Sequence, residues 1–196
     1  PVTIAADEMS AGEFLLPFSL LRADGSVELE RKIRIEHLGN RTRMVVRAIE
    51  DTHVNQRYPT RNWAAQNVML VDGGNQAMND ADHAVALLKF QLDIPGTPLT
   101  AKFRITNAGN PTGDAGRVCL VESPWQEKEA TYSNRPPLGR ELARLGTMIE
   151  NQTVERALDF VPPRSGTLSL AIDPTSTDGV DFLSREAGRP AELVIE

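Results

Sequence analysis

The side chains best placed to do chemistry in this chain are cations on alternating segments. Lys89 sits between Leu88 and Phe90, and Lys102 and Arg104 alternate with Ala101, Phe103 and Ile105. A period of two puts these cations on the face opposite the apolar residues. The tight turn Pro95-Gly96-Thr97-Pro98 separates the two segments. If they pair as an antiparallel hairpin, Lys89, Lys102 and Arg104 become neighbours across the ladder, and Arg117 extends the row. In a protein of net charge −6, such a row creates a local field suited to an anionic polymer. The alternative is an ordinary solvated face. A second group is aromatic: Tyr58 and Trp63 lie in the polar stretch 55–67, where a ring face would suit the C–H side of a sugar. A third is acidic. Asp51, Asp72, Asp80 and Asp82 offer hard oxygen ligands for calcium, without the spacing of an EF-hand loop.

Catalytic constellations are missing from the sequence. It contains no G-x-S-x-G elbow, no H-E-x-x-H and no glycine-rich phosphate loop. His37, His53 and His83 are scattered without metal-ligand spacing and are expected at the surface. Glu127 and Glu129, two residues apart, would share a face of an extended segment and in principle serve a glycosidase; solvated charge is the default. We therefore expect a protein that is not an enzyme.

The elements that must position these groups read as short strands. Gly12 to Leu21 and Val27 to Ile35 flank the turn Asp24-Gly25, and Val27, Leu29, Ile33 and Ile35 alternate with charges. Pro17 marks an edge strand or a bulge. These residues form an N-terminal β appendage over 1–40: either the closing hairpin of an upstream Ig-like module, slightly favoured, or extra strands on the main sandwich. From residue 41 onward, strands recur at Met44–Ile49, Val68–Val71, Ala86–Ile94, Ala101–Ile105, Arg117–Glu122, Val154–Phe160 and Thr167–Ile172, divided by Gly, Asn and Pro turns. That pattern predicts an all-β protein, a β-sandwich of jelly-roll type over 41–196. Leu138–Leu145 is the one segment that reads as a short helix.

Composition narrows the partners. A chain with 24% charged and 40% hydrophobic residues is globular in make-up. The acidic balance argues against nucleic acid. No apolar run approaches the ~20 residues of a membrane span, so no membrane insertion is expected. A single cysteine, Cys119, excludes an intrachain disulfide and a cysteine-rich zinc site. Pro1 is not an initiator, which suggests a piece or mature product of a longer polypeptide carrying other domains.

The stretch from Trp125 to Gly139 is unlike the rest: a large aromatic, an acidic turn, then Ala130-Thr131-Tyr132-Ser133 ending in Asn134-Arg135-Pro136-Pro137. Its W-x-E…T-x-x-N-x-P pattern resembles the DNRLRE-type domains, best known as alginate-binding modules attached to polysaccharide lyases. Three further blocks match in order and spacing: Asp51-Thr52-His53-Val54, Leu88-Lys89-Phe90-Gln91-Leu92, and Phe182-Leu183-Ser184-Arg185-Glu186-Ala187 running on to Arg189-Pro190. The resemblance covers roughly residues 49–196. It implies a non-catalytic module that binds an acidic polysaccharide, alginate-like or sulfated, and tethers a larger secreted, periplasmic or cell-surface protein to it. It also implies that Trp125 anchors the fold rather than the ligand. Jelly-roll carbohydrate modules often carry a structural ion, so calcium is the expected cofactor. Arg185, Glu186 and Arg189 read as a charge network tying the last hairpin to Asn134-Arg135. The competing class is a structural or protein-interaction module of a multidomain extracellular protein.

Overall fold

The computed structural model describes residues 12–21, 24–37 and 43–196, the two N-terminal strands by their backbone alone. The chain divides into two compact units, 1–42 and 43–196. In the first, β1 (Gly12–Leu21) and β2 (Val27–His37) pair antiparallel, with Pro17 opposite Lys32 and a register shift between Leu20 and Leu21. The turn is made by Asp24, whose carboxylate accepts from the Ser26 N–H and hydroxyl, and by Gly25 at φ 84°. A positive φ of that size is natural for glycine and costly for other residues. The turn is therefore the hairpin expected from Asp24-Gly25. The side chain of His37 lies outside the described residues.

The second unit is all-β and sandwich-like. Its strands are β3 (Met44–Asn55), β4 (Val68–Val71), β5 (Ala84–Asp93), β6 (Ala101–Thr106), β7 (Arg117–Val121), β8 (Glu141–Arg144), β9 (Thr153–Ala157), β10 (Ser165–Asp173), β11 (Val180–Leu183) and β12 (Glu192–Ile195). Their order is β8-β7-β10-β5-β3-β12-β6-β9, with β11-β4 as a separate pair. Strand β3 belongs to both halves. Met44–Arg47 pairs with β12, the register breaks between Ala48 and Glu50, and the remainder pairs with β5. A bulge of this kind bends a strand, which lets one sheet fold into two layers.

Between the layers lies one apolar core. It takes Leu88, Phe90 and Leu92 from β5, Phe103 and Ile105 from β6, and Leu168, Leu170 and Ile172 from β10. Met69, Val71, Val180 and Phe182 close it from the β4–β11 pair. Burying side chains of this size is worth roughly 1.5–3 kcal/mol each. The alternation seen in the sequence therefore identifies the inward residues correctly.

Two expectations fail. The Ala86–Ile94 and Ala101–Ile105 strands do not pair: β3 and β12 stand between β5 and β6. The short helix expected at Leu138–Leu145 is instead strand β8, antiparallel to β7 with Leu142 and Leu145 buried. An amphipathic stretch that short takes its form from the edge it meets. Among the described residues no helix is long and apolar enough to cross a membrane.

Candidate functional site

The layer formed by β10, β5, the second half of β3 and β7 turns its outer face towards the Trp125 stretch. Val54, Val85, Leu87, Val121 and Ala171 pack there with Trp125 and Ala130 in a second apolar cluster. Trp125 is 8% exposed, in line with an anchoring role. Asn62 Nδ2 donates to the carbonyls of Glu127 (2.7 Å) and Ala130 (2.8 Å), and the Ser133 N–H donates to Pro59 O. Asn134 Oδ1 accepts from Thr131 N and Oγ1, closing the turn that Pro136-Pro137 then ends.

Lys89 is fixed under this cover. It is 9% exposed, and its Nζ donates to Glu50 Oε2 at 2.7 Å and to the Trp125 carbonyl at 2.6 Å, with the indole ring centroid 4.6 Å away. The Glu127 N–H donates to the same Glu50 oxygen. The expectation that Lys89 lines an exposed cationic row is thus corrected. It is the post to which the Trp125 stretch is tied, because the face it points to is covered. Arg117 lies on the same layer and is held by Asp173 Oδ2 (3.0 and 2.8 Å). Beside it, a groove of about 390 Å³ runs past His83, Tyr132, Arg135, Pro136 and Asp173. Burial lowers the His83 pKa, Asp173 pulling the other way, so its ring is neutral near pH 7. Both His53 and His83 are buried, against the expectation of surface positions.

The outer face of the other layer carries Lys102 and Arg104. Register aligns Arg47, Glu192, Arg104 and Glu155 across β3, β12, β6 and β9 as a row of alternating charge. Arg104 donates to Glu155 Oε2 (2.6 Å) and Glu192 Oε2 (2.8 Å), which raises its own pKa and lowers that of Glu155. Lys102 lies 3.3 Å from Glu196 and 3.7 Å from Glu155. Arg47 is looser: its side chain is 73% exposed and only 3.4 Å from Glu192. Next to the row lies a groove of about 290 Å³ lined by Arg47, Arg104, Arg189, Thr106, Thr153 and Glu192 among others. Gly188, at φ 74°, caps the 3-10 turn Arg185–Ala187 and passes the chain to Arg189.

The structure therefore splits the predicted cations between two opposite faces. It also separates the aromatic pair from Lys102 and Arg104, since Tyr58 follows the far end of β3 from Arg47. The eight residue steps from Arg47 to Asn55 span roughly 26 Å of strand. Tyr58 is 46% exposed. Trp63 is half-buried, its ring stacked on His53 at 4.9 Å with the Arg61 guanidinium 3.9 Å from its centroid. Arg47 and Arg189 were not singled out by alternation, because neither lies in a long run.

The acidic residues also rearrange. Asp72, Asp80 and Asp82 do not form a ligand set. Asp72 Oδ1 accepts from Gly74 N. Asp80 accepts from the N–H groups of Asn75, Gln76 and Ala77 and, through its other oxygen, from that of Asp82, which holds its pKa down to about 2. Asp82 is paired with Arg57 at 2.6 Å. Asp51 alone joins other acids, and they are Glu127 and Glu186. Glu127 is not solvated but buried beside Arg185, while Glu129 is exposed. Arg185 thus ties to Glu127 and Glu186, not to Asn134-Arg135.

An all-β sandwich whose outer sheet faces carry shallow polar grooves has the build of a ligand-binding module. Residues 42–196 match the model of carbohydrate-binding module family 96, and the chain belongs to that family. Its members are non-catalytic modules that bind carbohydrate. A search of curated proteins found no match to the chain.

Proposed function

We propose that the module binds an acidic polysaccharide along the groove beside the β3–β12–β6–β9 row. One observation carries this reading: in a protein of net charge −6, three guanidinium groups, Arg47, Arg104 and Arg189, line a groove whose one acidic lining residue is Glu192. Planar guanidinium forks suit carboxylates and sulfates, which they bind bidentately. The Thr106 and Thr153 hydroxyls, 2.8 Å apart, suit sugar hydroxyls, and Lys102 extends the cationic edge. The resemblance to alginate-binding DNRLRE domains supports a uronate or sulfated ligand. In this role the module tethers the rest of a secreted or surface polypeptide to its polymer.

The pairing of Arg104 with both Glu155 and Glu192 favours the second reading, in which the row only braces the sheet. Binding to a polyuronate, a sulfated glycan and a neutral glucan, measured at low and high salt, separates the two. The double variant Arg47→Gln/Arg189→Gln is expected to lose more than tenfold in affinity for the acidic polymers at low salt. Neutral-glucan binding as tight as acidic-glycan binding, or an unchanged double variant, defeats the proposal. Salt above physiological strength, where the Debye length falls below ~8 Å, is expected to weaken wild-type binding as well.

A further inference from the structure

We propose that Asp51, Glu127 and Glu186 form a binding site for a hard divalent cation, calcium by the chemistry of its donors. Three carboxylates, one from each residue, offer oxygen atoms within 4.8 Å of one another. They come from three separate elements: Asp51 from β3, Glu127 from the Trp125 stretch and Glu186 from the 3-10 turn before β12. Arg185 is the one cation paired with Glu127 and Glu186 among the described residues. Its Nη2 reaches both oxygens of Glu127 at 3.0 Å and Glu186 Oε1 at 2.8 Å. One guanidinium against three carboxylates leaves the cluster short of positive charge.

A second observation points to a ligand. Asp51 is 1% exposed, and its Oδ2 accepts from the Arg185 N–H at 2.8 Å, but Oδ1 is buried without any partner. An orphaned carboxylate oxygen inside a protein carries a large desolvation cost. Such an oxygen is relieved by a metal ion that it can ligate. Calcium favours several oxygen ligands at about 2.3–2.6 Å and accepts carboxylates in mono- or bidentate form. Glu186 is exposed, which gives an ion and its remaining waters a way in. All-oxygen donors exclude a preference for soft metals.

The site would join the Trp125 stretch to β3 and to the turn before β12, so its occupancy reads out as stability. The protein is stripped with EDTA and melted with calcium, magnesium or zinc added alone. At a hundredfold excess over Kd, calcium is expected to raise Tm by about 5–10 °C. Asp51→Asn is expected to abolish that rise, and Glu186→Gln to weaken calcium affinity at least tenfold. Terbium luminescence, titrated against calcium, gives the affinities without relying on melting. If Asp51→Asn fails to fold, the Glu186→Gln titration decides. No calcium-dependent change in either readout for stripped wild-type protein overturns the proposal. So does a rise that survives intact in both variants, or stabilisation by zinc and not by calcium.

Discussion

The two outward faces of this sandwich start from the same sequence device and end differently. On β5, Lys89 alternates with Leu88 and Phe90; on β6, Lys102 and Arg104 alternate with Phe103 and Ile105. Both sets point away from the shared core. Lys89 is then covered by Trp125 and consumed by Glu50 and a backbone carbonyl. Lys102 and Arg104 stay at a half-open face among glutamates on neighbouring strands. Alternation tells which way a side chain points; a segment far along the chain decides whether water is there to meet it. One face has become a second core, the other a patterned surface.

That contrast can be broken from the covered side first. Trp125→Ala removes the centre of the second apolar cluster and is expected to cost about 3–5 kcal/mol, read as a large drop in urea midpoint. A variant that keeps its midpoint and only loses glycan would move Trp125 from the cover to the binding site. Lys89→Gln comes next. It strips the Trp125 carbonyl and Glu50 of their charged partner at a largely buried position, for about 1–3 kcal/mol. Its glycan affinity should stay at the wild-type level once folded, as measured by affinity electrophoresis. Arg104→Gln sits on the open face, with a side chain 27% exposed, and should cost no more than about 1 kcal/mol. The double change at Arg47 and Arg189 is the smallest in stability, within about 0.5 kcal/mol. If thermal melts instead put the open-face variants below Lys89→Gln, the asymmetry between the faces is wrong.

How much of this was legible beforehand follows the same division. Inward residues such as Phe90, Phe103 and Ile105 were readable because a strand's period is local. The β5–β6 pairing was misread because strand order depends on contacts far apart in sequence, and the short turn at Pro95-Gly96 suggested a hairpin where the chain crosses between layers. Leu138–Leu145 reads as a short helix in sequence yet holds strand β8, because the four residues Glu141–Arg144 carry too little pattern to choose. The acidic cluster was half visible. Asp51 was picked out, yet its partners lie 76 and 135 positions further along. The signal was present all the same: the D-T-x-V, W-x-E and S-R-E blocks each contribute one of the three acids. Arg189 likewise stands in the R-P pair that follows the last of these blocks.

Strand β3 opens the second unit and β12 closes it, and they pair antiparallel with Met44 opposite Ile195. The two ends of the unit are therefore only about 5 Å apart at that rung. How a unit with such neighbouring ends resists tension depends on where the pull enters. When the pull enters through both of these neighbouring ends, the load falls on one rung at a time and peels the strands apart. Strands loaded in shear would share the force among all rungs at once. Pulled end to end in an optical trap, the unit is expected to yield at low force, starting at Met44 and Ile195.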